Sequence, residues 1–243
     1  MLQFRISDFQ VLLKIGQGSF ASVMRATHKK TGHNVALKIY EKKHLKDAES
    51  TQALHREIYI LAMIKHENIV GLHEVIDSRT HVHLIMELCE GKSLYHIVKK
   101  SQEKAVEGVS EVRVKNIFRQ LLTAVAYMHE NDIAHRDLKL DNILVDGNDL
   151  VKLIDFGFAT KCVINEKLSF FCGTPHYMDP DLAMKKHYFG QAADVWALGV
   201  ILFTLLSGKM PFFAEFEEDL FRRIQNAKYQ WPRNYRQNAK NVE

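Results

Sequence analysis

Residues 135–145 read HRDLKLDNILV, a stretch in which charged and amide side chains run directly into an apolar segment. Asp137 and Asn142 precede the residues ILV, which are typical of a buried strand. The turn sequence DGND then leads to a second short strand over 151–154, a pattern that favours a hairpin. Asp155 follows that strand directly. We therefore expect Asp137, Asn142 and Asp155 to form one acidic, amide-bearing pocket.

The side chains of this pocket suit phosphate chemistry with a divalent cation. Mg²⁺ prefers oxygen ligands from one or two carboxylates, together with the phosphates of a nucleotide. Asn142 and Asp155 could supply such ligands to a magnesium ion that binds with ATP. Asp137 is then left free to accept a proton from a hydroxyl group.

The composition is that of a globular chain, since 47% of its 243 residues are hydrophobic and 26% are charged. The longest apolar run, VWALGVILFTLL, is shorter than the roughly 20 residues that cross a bilayer, so we expect no membrane span. No signal peptide is recognisable, and a cytoplasmic location is expected. Basic and acidic residues are interspersed despite a formal charge of +4, which argues against a nucleic-acid partner. The three cysteines are widely spaced and are expected to be free thiols.

Two regions with different patterns make up the chain. Residues 1–88 read mainly as strands, in FQVLLKIG, ASVMRATH and NVALKIY, with one helix in TQALHREIYILAMIKH. Beyond a hinge at 88–91 the pattern becomes helical, with a long amphipathic helix over Glu111–Glu130 and an apolar helix over 194–206. The predicted apolar stripe of the first helix consists of Leu54, Ile58, Leu61 and Ala62.

Two features of the strand-rich region point to a nucleotide. GQGSFASV places Gly16 and Gly18 between two strands, so that backbone N–H groups could approach a phosphate, although a plain glycine hairpin would also explain them. In VALKIY, Lys38 lies within an apolar strand, and a buried ammonium requires a counter-ion. Glu57 on the following helix is the candidate, unless Lys38 is exposed at the surface.

Together these elements resemble a eukaryotic protein kinase. The loop GQGSFASV, the lysine of VALK, the helix glutamate Glu57, HRDLKLDN and DFG follow the order and spacing of that family, and the resemblance covers residues 9–231. It implies an α+β, bilobal protein kinase fold with a β-rich N-lobe that carries one main helix and a mainly α-helical C-lobe. The kinase domain would span 9–243, with the N-lobe at 1–88 and a C-lobe at 89–243 that ends before its last helices.

The resemblance implies catalytic roles for several residues. Asp137 would accept the proton of the substrate hydroxyl, and Lys139 would neutralise charge on the transferred phosphoryl group. Lys38, held by Glu57, would reach the α- and β-phosphates of ATP. The metal ligands would be Asn142 and Asp155.

The nucleotide site that the resemblance implies has three parts. Ile15, Val23, Ala36 and Leu144 would sandwich the adenine, although simple core packing would also explain them, and Met86 would be the gatekeeper. Glu87 and Cys89 would offer backbone groups of the hinge. The residues expected to fold over the phosphates are Gly16, Gln17, Gly18, Ser19 and Phe20, followed by Ala21 in place of the third glycine.

The sequence departs from the family pattern near its end. The usual APE is replaced by Asp179, Pro180 and Asp181, and the family's glutamate at that place pairs with an arginine late in the C-lobe. Because the sequence ends at Glu243, we expect that arginine to lie outside it. These departures keep open an alternative function, that of an ATP-binding pseudokinase or scaffold.

A second departure concerns activation. Phe170 occupies the position where relatives carry a phosphorylatable threonine, whose phosphate pairs with the arginine of HRD, here Arg136. We therefore expect Arg136 to find another anion, such as phosphorylated Ser169, the carboxylate of Glu166 or an acidic group of a partner.

Finer resemblances concern the subfamily and its partners. Lys139 and Thr174 resemble the serine/threonine branch, whose substrates are Ser and Thr hydroxyls of proteins. IGQGSFASVMRA and FCGTPHYM are similar to polo-like kinases, especially the centriole-duplication member, and to calcium/calmodulin-dependent and AMP-activated relatives. A polo-like identity would place the protein at the centrosome or centriole. A C-terminal regulatory region or a partner chain is a further expectation.

Overall fold

The computed structural model describes residues 4–18, 21–45, 47–103, 108–163 and 166–230. These residues form a β-rich N-terminal lobe and a mainly helical C-terminal lobe, as the sequence predicts for an α+β, bilobal fold.

The N-terminal lobe is an antiparallel sheet with one α-helix. Its elements are β1 (Phe9–Gln17), β2 (Ala21–His28), β3 (Asn34–Glu41), α1 (Ala48–Met63), β4 (Leu72–Asp77) and β5 (His81–Glu87). The five strands pair in the order β1-β2-β3-β5-β4. Alternation along β3 separates two faces, because Val35 and Leu37 pack in a small cluster with Phe9, whereas Ala36 and Tyr40 face the main core.

Helix α1 begins after Asp47, whose carboxylate accepts a hydrogen bond from the backbone N–H of Ser50 at 2.6 Å. The predicted apolar stripe of α1 is partly wrong, because Ala62 is exposed and Ile58 is only half-buried. The buried face consists of Ser50, Leu54, Glu57, Ile60 and Leu61. Periodicity of apolar residues placed the stripe incorrectly, since a charged residue, Glu57, occupies the centre of the buried face.

The C-terminal lobe contains three short strand pairs and five helices within the described residues. Its elements are β6 (Lys92–Ser93), α2 (Leu94–Glu103), α3 (Glu111–Glu130), β7 (Ile133–Ala134), β8 (Ile143–Val145), β9 (Val151–Leu153), β10 (Thr160–Lys161), α4 (Pro180–Ala183), α5 (Gly190–Ser207) and α6 (Glu217–Gln225). Helix α3 has the predicted bounds. The predicted hairpin is present between β8 and β9, although β9 ends at Leu153, one residue earlier than expected.

Helix α5 begins at Gly190 and not at Asp194, where the sequence placed its start. Asp194 lies inside the helix because its carboxylate bonds the backbone of another segment and does not cap α5. Among the described residues, α5 is the one helix long and apolar enough to cross a bilayer, but 61% of it is buried in the protein. A buried core helix has the same composition, so α5 does not indicate a membrane span.

Gly91 allows the hinge between the lobes to lie close to the β8–β9 hairpin. A Cβ atom on Gly91 would lie 2.5 Å from the carbonyl oxygen of Val145, so a larger residue would force the chains apart. β6 therefore pairs with β8, with Ser93 opposite Leu144. This contact fixes the hinge beside the hairpin that carries the predicted pocket.

Candidate active site

The ion pair predicted between Lys38 and Glu57 is present in the N-terminal lobe. Nζ of Lys38 on β3 donates to Oε1 of Glu57 on α1 at 2.7 Å, and the two side chains are only 12% and 1% exposed. Burial alone would lower the pKa of Lys38, but the carboxylates of Glu57 and Asp155 outweigh it and raise this pKa well above its ordinary value. Lys38 is therefore a charged, buried ammonium, and the surface-exposed alternative is wrong.

Lys38 also joins α1 to the segment after β9. Its Nζ donates to Oδ1 of Asp155 at 2.8 Å. Asp155 has a positive φ of 62°, and the next side chain, Phe156, is fully buried with its ring edge-on to His135 at 5.0 Å between centroids. The buried Phe156 thus anchors the segment while Asp155 faces Lys38.

Asp194 holds the loop that contains HRD. Its two carboxylate oxygens accept hydrogen bonds from the backbone N–H groups of His135, at 2.9 Å, and Arg136, at 2.8 Å. Nε2 of His129 lies 2.9 Å from the same carboxylate. Arg136 has φ of +67°, a conformation that a non-glycine residue adopts only when its surroundings enforce it. These bonds supply that enforcement and position Asp137, the next residue.

The carboxylate of Asp137 is held on both oxygens. The hydroxyl of Thr174 donates to Oδ1 at 2.8 Å, and Nζ of Lys139 donates to Oδ2 at 2.7 Å and to Oγ1 of Thr174 at 3.1 Å. Nδ2 of Asn142 donates to the backbone oxygen of Asp137 at 2.9 Å. Close approach of the Thr174 segment requires Gly173, where φ is +110° and a Cβ would lie 2.8 Å from the backbone oxygen of Arg136.

Asn142 and Asp155 are brought together by the hairpin. Asn142 directly precedes β8, and Asp155 lies two positions after the end of β9. The backbone N–H of Ile154, between β9 and Asp155, donates to the backbone oxygen of Asn142 at 2.9 Å. The Asp155 side chain is 47% exposed. Among the described residues, no donor reaches the amide oxygen of Asn142, whose nitrogen is the atom turned to Asp137. This pair of oxygen-bearing groups fits Mg²⁺, which takes few protein ligands when phosphates complete its shell.

The residues expected around adenine lie on two facing elements. Sheet register pairs Gly16 with Val23, Val23 with Lys38, and Ala36 with Met86, so these positions follow one another across β1, β2, β3 and β5. Ala36 and Met86 are buried, whereas Ile15 is 47% exposed. Leu144 comes from β8 in the other lobe. The arrangement leaves the predicted residues on both sides of the cleft between the lobes.

The glycine-rich turn is closed by its own backbone. The N–H of Gly18 donates to the oxygen of Ala21 at 2.8 Å, and Nε2 of Gln17 donates to the oxygen of Gly18 at 2.9 Å. Neither Gly16 nor Gly18 has a positive φ, so these glycines offer clearance and not a special turn geometry. The φ angle of Ala21 is not positive either, which explains why alanine can replace the third glycine of the loop at this position. The predicted residues Ser19 and Phe20 lie outside the described residues.

At the hinge, the backbone N–H of Glu87 is bonded within the N-terminal lobe. The N–H of Glu87 donates to the oxygen of Gly71 at 2.9 Å, and its carboxylate pairs with Lys152 at 2.7 Å. The Cys89 Sγ lies 4.0 Å from the backbone oxygen of Glu87. Burial raises the pKa of the Cys89 thiol to about 12. Cys89 is a neutral thiol, and each of the three cysteines is free, as predicted.

Arg136 contacts neutral groups in the structure, and its predicted pairing with a phosphate on Ser169 or with an acidic group of a partner stays a prediction. Its Nε donates to the backbone oxygen of Phe158 at 2.7 Å, and its guanidinium carbon lies 5.7 Å from the ring centre of Phe170. The fully buried Tyr188 accepts from Nη1 of Arg136 at 3.4 Å and donates to the backbone oxygen of Phe170 at 2.9 Å. Among the described residues, neither Glu166 nor any other carboxylate forms an ion pair with Arg136.

Sequence reasoning missed polar residues at the site whose partners are distant in sequence. Tyr40 donates a hydrogen bond to Glu57, and Tyr188 joins Arg136 to Phe170. Thr174 was noted only as a mark of the serine/threonine branch. Tyr40 follows Lys38 by two strand positions and so shares its face, which is the one signal that could have identified it.

Comparison with known proteins agrees with this geometry. Residues 9–242 match a family model described as the protein kinase domain. The chain belongs to the protein kinase family. Protein kinases use ATP as a substrate and Mg²⁺ as a cofactor, and the cleft residues described above fit both.

The curated relatives of this kinase include proteins of a plant and of a mammal. CBL-interacting protein kinase 25 of Oryza sativa subsp. japonica is 36% identical over 221 residues, which are 90% of this chain and 43% of the rice protein. Sperm motility kinases 2B and 3A of Mus musculus are each 39% identical, over 92% and 93% of this chain and over 44% and 43% of their own lengths. This chain therefore spans less than half the length of each of these three relatives.

Proposed function

We propose that this kinase is an active protein serine/threonine kinase, which transfers the γ-phosphoryl group of ATP to Ser and Thr hydroxyls of protein substrates. The observation that supports this proposal is the presence of two networks of hydrogen bonds and ion pairs in the same cleft. One joins Lys38, Glu57 and Asp155 across the cleft. The other joins Asp137, Lys139 and Thr174.

In this proposal Asp137 orients the substrate hydroxyl and accepts its proton. The hydroxyl oxygen forms a bond to the γ-phosphorus while the bond from that phosphorus to the bridging oxygen of ADP breaks. Thr174 and Lys139 keep the Asp137 carboxylate in one orientation before the substrate arrives. Lys139 also places a positive charge beside the transferred group, where negative charge must be stabilised in the transition state.

The second network positions the nucleotide. Lys38 is fixed from two sides by carboxylates, so its ammonium is held in place for the α- and β-phosphates without further ordering. Asn142 and Asp155 would hold the magnesium ion, which neutralises phosphate charge when it is bound. The adenine would lie between Ile15, Val23 and Ala36 above and Leu144 below, with Met86 behind it. Glu87 and Cys89 would offer it backbone groups.

The serine/threonine preference, the boundaries and the location belong to the same proposal. Lys139 and Thr174 support the preference, because both contact the proposed base and both are marks of that branch. We assign the kinase domain to 9–243, with lobes at 1–88 and 89–243. A polo-like identity, with a cytoplasmic or centrosomal location, stays a prediction, as does a regulatory region or partner.

The alternative function, an ATP-binding pseudokinase or scaffold, rests on Asp181. Among the described residues Asp181 forms no ion pair, whereas Asp179 caps α4 through a 2.7 Å bond from the N–H of Leu182. A transfer assay with radiolabelled ATP and a generic basic protein separates the two functions. We expect label on phosphoserine and phosphothreonine after acid hydrolysis. ATP binding without transfer would favour the pseudokinase, and label on phosphotyrosine would overturn the serine/threonine preference.

A further inference from the structure

Tyr40 lies at the end of β3 and reaches the ion pair from the same face as Lys38. Tyr40 is 6% exposed and packs in the main core, opposite Val82 on β5. Its hydroxyl donates a hydrogen bond to Oε2 of Glu57, and Nζ of Lys38 lies 5.7 Å from its ring centre. Tyr40 therefore contacts both members of the ion pair.

The Glu57 carboxylate is held on both oxygens. Lys38 occupies Oε1, and Tyr40 occupies Oε2. With Glu57 only 1% exposed, water does not replace a lost donor, so a carboxylate bonded at one oxygen alone would be free to turn about its last bond. The phenol is suited to this task, because burial and the charge of Glu57 raise the pKa of Tyr40 far above its ordinary value and keep the donor protonated.

We propose that Tyr40 is a positioning residue of the kinase: it fixes the Glu57 carboxylate so that α1 presents Oε1 to Lys38. This inference rests on the proposed function. Loss of the hydroxyl would leave Oε2 buried with no donor among the described residues, which disfavours the inward position of Glu57. Lys38 would then be held by Asp155 alone, whose own side chain is 47% exposed.

The variant Tyr40→Phe removes the hydroxyl and keeps the ring, so core packing is retained. Tyr127→Phe is the matched control, because the Tyr127 hydroxyl also makes one hydrogen bond, accepting from the backbone N–H of Lys65 at 3.1 Å, but lies away from the cleft. We expect Tyr40→Phe to lose roughly tenfold in kcat/KM for ATP, which corresponds to about 1.4 kcal/mol. Tyr127→Phe should stay within twofold of the wild type.

A double-mutant cycle separates positioning from general packing. If Tyr40 acts through Glu57, adding Tyr40→Phe to Glu57→Ala should cause no further loss, because nothing remains to be positioned. An equal tenfold loss in both backgrounds would overturn the proposal, as would wild-type kinetics for Tyr40→Phe. Binding of a fluorescent ATP analogue should weaken severalfold in Tyr40→Phe and stay unchanged in Tyr127→Phe.

The binding measurement keeps this inference distinct from the proposed function. If the wild type binds the ATP analogue but transfers no phosphate, the proposed function fails, and the Tyr40 proposal is judged on affinity. Unchanged affinity in Tyr40→Phe would then overturn it. A cooperative unfolding curve for each variant confirms that the comparison is made between folded proteins.

Discussion

Replacing Lys38 by Met tests the buried ion pair directly, because it leaves a buried carboxylate without its counter-ion. Glu57 is 1% exposed and, within the part of the chain that the structure describes, would retain the hydroxyl of Tyr40 as its sole partner. Removal of one member of a buried pair costs about 3–5 kcal/mol, whereas replacement of both members is often neutral. For a chain of this length, that loss corresponds to a fall of about 6–20 °C in Tm.

Thermal and denaturant unfolding of three variants provides the assay. Lys38→Met should be destabilised by the amount above and should show no phosphoryl transfer. Lys38→Met/Glu57→Gln should recover more than half of the lost stability, since the amide is uncharged and can still accept the hydrogen bond of Tyr40, but it should remain inactive. Lys42→Met is the control, because Lys42 pairs with Asp77 at the surface and its loss should cost less than about 1 kcal/mol.

Two results would refute this reasoning. If Lys38→Met unfolds at the same temperature as Lys42→Met, Glu57 is solvated and the pair is not buried in solution. If the double variant is no more stable than Lys38→Met, the cost comes from lost packing of the lysine stem and not from an unpaired charge.

The remaining predictions concern the activation segment and the hinge thiol. Arg136 already contacts Phe158, Tyr188 and the ring of Phe170. Phosphatase treatment and Ser169→Ala should therefore each change the transfer rate less than twofold, whereas Phe170→Ala should lower it severalfold. Loss of activity after phosphatase treatment would show that a phosphate switch operates. With its pKa at about 12, the Cys89 thiol is protonated at neutral pH and gains reactivity only as the pH approaches that value. Iodoacetamide should therefore label Cys89 at least about a hundredfold more slowly at pH 7.5 than an exposed thiol of ordinary pKa. Labelling of Cys89 at the rate of an exposed thiol would contradict its buried environment.

Local patterns predicted the strands β1, β2, β3, β8 and β9, the long helix α3 and the pairing of Lys38 with Glu57. Each of these depends on residues close in sequence or on a charge that needs a partner. The buried face of α1 was predicted incorrectly, because the pattern of apolar residues placed Ala62 on that face. In the structure the ion-paired Glu57 lies on the buried face and Ala62 is exposed. The start of α5 was predicted at Asp194, four residues too late. The Asp194 carboxylate accepts hydrogen bonds from the backbone N–H groups of His135 and Arg136 and does not cap the helix.

The contacts of Arg136 and Tyr40 depend on tertiary geometry that no spacing reveals. Phe170 read as the loss of a phosphate site, and only the structure shows that its ring covers the guanidinium of Arg136. Tyr40 read as one more apolar strand residue. Its hydroxyl acquires a role only because α1 brings Glu57 to the same face of the sheet.

The most direct test of the proposed function is the kinetics of Asp137→Asn beside its ATP affinity. The asparagine keeps the shape of the side chain and its contact with Lys139, but it cannot accept the proton of the substrate hydroxyl. We predict that kcat falls by about a hundredfold or more while the affinity for ATP changes less than threefold. A transfer rate equal to that of the wild type would contradict the assignment of Asp137 as the base, and a large loss of ATP affinity would show that Asp137 holds the nucleotide or its metal instead.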